Sequence, residues 1–122
     1  MNNRAQTILH VCSRETILEL RDQILKLHGY EVDSTLLIAH GLQLATAREY
    51  DLVVIDVEGD GRIPSAEKLC QDIKALRPDQ EIVFVCNYRV SIESDCPDEV
   101  IRSEFNPKSM IDGIQAILRG KN

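Results

Sequence analysis

The chain has 122 residues, 43% of them hydrophobic and 28% charged, which is the make-up of a single globular domain (1–122) with its own core and no room for a second module. A net charge of −6 argues against a nucleic-acid partner, and no apolar stretch is long enough to span a bilayer. There is no charged start followed by an apolar block, so a cytoplasmic location is expected, where Cys12, Cys70, Cys86 and Cys96, which lack C-x-x-C spacing, should stay reduced.

Thr7 to Val11 is the first short apolar run and predicts a strand ending at Cys12. Ser13 stands where a helix N-cap belongs, and Ile17, Leu20, Ile24 and Leu27 recur at helical steps as one apolar stripe, so helix one should run to about His28, with Gly29 ending it. Tyr30 to Thr35 alternates and predicts strand two, with Val32 inward. Leu37, Ile38, Leu42 and Ala45 then suggest helix two, weakened by Gly41 in its interior.

The third strand, Asp51 to Asp56, is the organising stretch. Its apolar run Leu52–Ile55 is rich in β-branched residues and too short for a helix, which predicts a strand covered on both faces. Open α/β sheets bind ligands at the carboxyl ends of their strands, and the side chain in that place is Asp56. A Gly-punctuated loop, Val57 to Ile63, follows. Pro64 suits the first turn of helix three, whose inward residues should be Ala66, Leu69, Cys70, Ile73 and Leu76, with Pro78 closing it. Glu81 to Cys86 predicts strand four, Asn87 to Glu99 has too few apolar residues for a well-formed helix, and Val100-Ile101 is a brief strand five. Asn106-Pro107 makes a cap-plus-N1 start for a last helix with Ile111, Ile114 and Leu118 inward. Strands alternating with helices imply right-handed crossovers and a parallel sheet with helices on both faces.

Tyr50-Asp-Leu-Val-Val-Ile-Asp56, Lys26-Leu-His-Gly-Tyr30 and Ala75-Leu-Arg-Pro78, set in this order of elements, resemble the receiver domain of two-component response regulators. The resemblance covers nearly the whole chain. It implies a flavodoxin-like, doubly wound five-stranded parallel sheet of order 2-1-3-4-5 in three α/β/α layers, here with a shortened or missing fourth helix. It also implies a role in phosphorelay signalling, Asp56 as phosphoacceptor, Mg²⁺ as cofactor, and a sensor histidine kinase or downstream signalling protein as partner.

Several family positions depart from the pattern. The acid pair that would help hold Mg²⁺ falls on Cys12 and Ser13, neither of which is a hard anionic donor. The phosphate-contacting hydroxyl falls on Cys86, and the lysine on Arg102 or, with the alignment anchored on Phe105, on Ser103. The resemblance therefore implies an atypical member with a weakened Mg²⁺ site at Asp56 and Glu58, acting through protein–protein contacts. Two alternatives stay open: a competent acceptor in which Glu58 or Asp60 replaces the missing acids, and a divalent-cation loop over residues 56–67. The second rests on the spacing Asp56, Glu58, Asp60, Gly61, Glu67, close to that of a calcium-binding EF-hand. Asp56 can also be read as an anchor for loop amides.

No nucleophile–base pair, Gly-rich phosphate motif or cofactor fingerprint marks the chain as an enzyme. In the family's strand order Cys12 and Cys86 lie two inter-strand spacings apart, roughly 9.5 Å, beyond the limit of about 7 Å for a disulfide. Cys70 reads as core and Cys96 as the exposed cysteine. His10, His28 and His40 have no paired ligand spacing, read as solvated or hydrogen-bonded, and are not expected to bind a metal. The acidic run Glu93, Asp95, Asp98, Glu99 reads as a solvated face or an altered docking site.

Overall fold

A computed structural model of the chain describes residues 4–103 and 107–120. The strands are β1 (Thr7–Val11), β2 (Glu31–Thr35), β3 (Leu52–Asp56), β4 (Ile82–Cys86) and β5 (Glu99–Arg102). The helices are α1 (Glu15–Leu27), α2 (Ile38–Ala47), α3 (Ile63–Leu76) and α4 (Pro107–Arg119), with one 3₁₀ turn at Asp60–Arg62. All strand pairs are parallel and the order is β2-β1-β3-β4-β5, as expected. Residues 87–98 form no helix, so the fourth helix of the resemblance is missing. The Asn106 cap and Phe105 lie outside the described residues.

Because side chains alternate across a strand, the sheet buries two separate cores. Leu9, Val11, Val53, Ile55, Ile82 and Phe84 meet α2 and α3 through Ala45, Ala66, Leu69, Cys70 and Ile73. Ile8, Leu52, Val54, Val83 and Val85 meet α1 and α4 through Leu25, Met110, Ile111, Ile114 and Leu118. These two apolar layers around a fully covered sheet make the three-layer sandwich.

Three helical faces differ from the sequence reading. On α1 the inward side carries Ile17, Leu18, Arg21, Asp22, Ile24 and Leu25, while Leu20 is 54% and Leu27 85% exposed. The face is turned so that Arg21 reaches the sheet. Ser13 does not cap α1; the cap position is Arg14, without a side-chain bond, and the Ser13 hydroxyl is engaged elsewhere. On α3, Leu76 is exposed rather than inward. On α2, Leu37 and Ile38 are exposed and Gly41 is buried. Gly41 is no weak point, because a Cβ there would lie 2.9 Å from Val11 Cγ2, and only glycine lets α2 approach β1.

The segment replacing the missing helix is held by polar staples. Arg102 Nη1 donates to the carbonyls of Asn87 (3.1 Å) and Val90 (2.8 Å), and Ser91 N–H donates to Asp60 Oδ1 (2.9 Å). Asp98 accepts from Ile82 N–H (2.8 Å) and from Lys74 Nζ (2.9 Å), so this member of the acidic run is tied down. Cys96 is half-buried against the α3 core rather than exposed, and its hydrogen bond to Cys70 adds to burial in raising the Cys70 thiol pKa.

Gly41→Ala gains helix propensity of up to about 1 kcal/mol, but overpacking against Val11 costs about 1–3 kcal/mol. Urea unfolding should show a net loss for Gly41→Ala. Gly59→Ala, whose added Cβ meets nothing within 4 Å, should stay within about 0.5 kcal/mol of the parent. An unchanged or raised midpoint for Gly41→Ala contradicts the close approach.

Candidate functional site

The carboxyl ends of β1, β3 and β4 converge on one edge of the sheet. Val11 pairs with Ile55 and Asp56 with Val85, so β3 presents Asp56 between the loop after β1 and the end of β4. By alternation Asp56 continues the Leu52–Val54 side, the face covered by α1. There it meets Arg21, whose Nη1 donates to Asp56 Oδ2. Both side chains are largely withdrawn from water, at 14% exposure for Arg21 and 6% for Asp56.

This ion pair is what the sequence reading missed. Burial pulls the Arg21 guanidinium below its ordinary pKa, with the Glu58 carboxylate among the groups opposing it. A guanidinium nonetheless stays protonated at any physiological pH. A fixed positive charge therefore sits on the carboxylate at the strand end. The signal was present in the sequence: Arg21 lies three residues after Leu18 and four before Leu25, on one helical face with both.

The neighbouring acid does not join Asp56. Glu58 Oε1 accepts from Ser13 N–H (3.1 Å) and Oε2 from Ser13 Oγ (2.5 Å), while the Cys12 thiol stands 3.6 Å from Glu58 Oε1. Glu58 thus bridges the two positions where the resemblance expects acids. Asp60 starts the 3₁₀ turn and binds Ser91, and Glu67 lies on α3. The residues of the proposed calcium loop turn to different partners, because Ile63 and Pro64 begin a helix inside the twelve-residue span. The loop reading over 56–67 is corrected on that ground.

A cleft of about 270 Å³ opens over this edge, lined by Arg14, Arg21, Asp56, Glu58, Cys86 and Ser103 among others. Two of the expected phosphate-contact positions, Cys86 and Ser103, thus face the same space as Asp56. Arg102 spends its Nη1 on loop carbonyls and on Cys86 Sγ (3.6 Å). Burial pushes the Cys86 thiol pKa up, with Arg102 opposing, and burial likewise raises that of Cys12.

His10 corrects a second expectation. It is fully buried, neither ring nitrogen has a hydrogen-bond partner among the described residues, and burial, aided by the Arg21 charge, lowers its pKa to about 3. The imidazole is therefore neutral. An unsatisfied buried polar group costs about 1–3 kcal/mol, so its retention calls for an account. One of its ring nitrogens, the Cys12 sulfur and an Asp56 oxygen lie within 4.8 Å of one another, the only such three-ligand group among the described residues.

Comparison with solved structures agrees with this fold. The chain is similar to a CheY-like response regulator receiver domain protein from Methanospirillum hungatei JF-1, at 25% identity, TM-score 0.81 and 96% coverage of both chains. It is similar to the response regulator TrrA of Thermotoga maritima solved with Mg²⁺ and BeF, at 26% identity and TM-score 0.78, over 92% of this chain and 98% of that one. TrrA in complex with the histidine kinase ThkA matches at 24% identity and TM-score 0.77, over 93% and 98% of the two chains. No protein-family model and no curated protein matches the chain.

Removing one partner of a buried ion pair leaves the other uncompensated, which costs about 3–5 kcal/mol. Arg21→Met and Asp56→Asn should each destabilise the domain in chemical denaturation. The double variant should be more stable than their sum by about 1–3 kcal/mol. Strict additivity would mean that the two side chains do not depend on each other.

Proposed function

We propose that this chain, which has the fold of the CheY-like receiver domains, is an atypical phosphorelay signalling module rather than an enzyme. It works through protein–protein contacts and accepts a phosphoryl group at Asp56 poorly. The observation that carries the reading is the Arg21–Asp56 ion pair. Phosphoryl transfer to a carboxylate depends on charge placement: a metal ion neutralises the incoming oxygens, and the acceptor must be free to attack. In this domain one of the two acceptor oxygens, Asp56 Oδ2, is engaged by an internal cation.

The donor set supports the same reading. Mg²⁺ demands octahedral oxygen ligands and binds through carboxylates. Around Asp56 the chain offers a thiol at Cys12, a hydroxyl at Ser13 that is given to Glu58, and a neutral imidazole at His10. These residues do not fit Mg²⁺. Asp56 and Glu58 make a weak magnesium pair at most, because Ser13 already holds Glu58 and the other donors beside Asp56 are a thiol and an imidazole rather than oxygens.

Protein partners of the sensor-kinase or downstream-signalling class fit the surface beside the site. Leu36, Leu37 and Ile38 form an exposed apolar run, and all three line a second hollow that also reaches Asp56. A contiguous apolar patch at a functional edge is the usual mark of a docking face. The structure of TrrA with its histidine kinase supports a partner of this kind. Among the described residues no helix is long and apolar enough to cross a membrane, and a cytoplasmic location remains the expectation.

Incubation with Mg²⁺ and a small-molecule phosphodonor, read by Phos-tag electrophoresis, should give at most a faint shifted band for the natural chain. The triple variant Cys12→Asp/Ser13→Asp/Arg21→Met rebuilds the acid pair and removes the internal cation, and it should give a shifted band that Asp56→Asn abolishes. Equal phosphorylation of the natural chain and the triple variant would contradict the reading.

A further inference from the structure

We infer that His10, Cys12 and Asp56 form a binding site for a borderline-soft divalent metal of the Zn²⁺ class. The first support is convergence: an imidazole nitrogen, a thiol sulfur and a carboxylate oxygen from two adjacent strands lie within 4.8 Å of one another. Ligand atoms around tetrahedral Zn²⁺ stand roughly 3.3–3.6 Å apart, as its usual bond lengths dictate. The group therefore has to close by roughly 1 Å, which χ rotations at the strand ends can supply.

The second support is independent of the first. His10 is fully buried with both nitrogens unpartnered among the described residues, an arrangement native structures rarely keep without a ligand. A neutral imidazole there carries a lone pair in the protein interior, and coordination would use it. The donor chemistry also discriminates: nitrogen, sulfur and one carboxylate oxygen suit Zn²⁺, whereas Mg²⁺ and Ca²⁺ want oxygen alone.

Arg21 need not leave. It engages Asp56 Oδ2, and a carboxylate has a second oxygen for the metal, so the guanidinium becomes the outer partner that orients the ligand. On binding, the Cys12 thiol gives its proton to solvent and the thiolate takes the ion. Charge then balances locally: Cys12, Asp56 and the adjacent Glu58 carry three negative charges against the three positive charges of Arg21 and the divalent ion. The fourth coordination place is left to water. The site shares Asp56 with the proposed signalling role but does not rest on it, since metal binding and phosphorylation are read by different signals.

The test uses the full chain after chelator treatment, titrated with Co²⁺ and then with Zn²⁺. Expected are a sulfur-to-Co²⁺ charge-transfer band in the near ultraviolet, its loss on Zn²⁺ addition, and one Zn²⁺ per chain by native mass spectrometry. Cys12→Ser, close in size, should abolish the band and weaken Zn²⁺ binding by more than about tenfold. The Cys70→Ser/Cys96→Ser variant should retain both signals. Nitrogen NMR of the His10 ring, which needs no substitution, should show a Zn²⁺-induced shift at one ring nitrogen that Mg²⁺ does not produce. The inference is overturned if the natural chain shows no band, if the band survives Cys12→Ser, if it vanishes with Cys70 and Cys96, or if the His10 nitrogens do not respond.

Discussion

A guanidinium and a carboxylate, each taken almost wholly out of water, face each other where α1 crosses the end of β3. Neither charge is tolerable there alone, because desolvating an ion costs several kcal/mol unless an opposite charge meets it. The pair therefore constrains more than its own two residues. It sets the rotation of α1 about its axis, which sends Leu25 into the core and leaves Leu20 and Leu27 in solvent. It also decides what the sheet edge can do, since one oxygen of the carboxylate best placed to attack an electrophile already has a partner.

The scaffold and the site answer to different parts of the sequence. The scaffold needs apolar runs at the right spacing, and β3 and β4 supply them as nearly continuous buried strands. That requirement is met by many side-chain combinations, which is why the chain keeps the receiver-domain fold at about a quarter identity to its structural neighbours. The site needs particular atoms in particular places. Sulfur at Cys12, a hydroxyl at Ser13 given to Glu58, a thiol at Cys86 and an arginine against Asp56 change its chemistry without disturbing the layers that position it.

The strands, their order and the missing helix were legible because they depend on β-branched runs, on turn residues and on the family likeness. The inward faces of the helices were less so. Periodicity shows that α1 has an apolar stripe, yet Ile17 and Ile24 belong equally to a stripe with Leu20 and Leu27 and to one with Leu18 and Leu25. The arrangement that won buries an arginine, a residue that pattern reading assigns to the surface. Gly41 looked like a helix breaker because its value lies in a contact 30 residues back along the chain, with Val11. His10 could have been placed from sequence: it sits between Leu9 and Val11 in a strand that this topology covers on both sides. Its lack of a partner among the described residues was visible only once Arg21, Cys12 and Asp56 had been assembled around it.

The most direct examination of the central claim is a crystal structure of the natural chain grown with Mg²⁺ and beryllofluoride, refined without restraint on the Arg21 rotamer. The account predicts the Arg21 guanidinium in contact with the Asp56 carboxylate, and neither an octahedral ion nor a beryllofluoride adduct there. An ordered Mg²⁺ ligated by Asp56, with Arg21 swung out into the cleft, would contradict it.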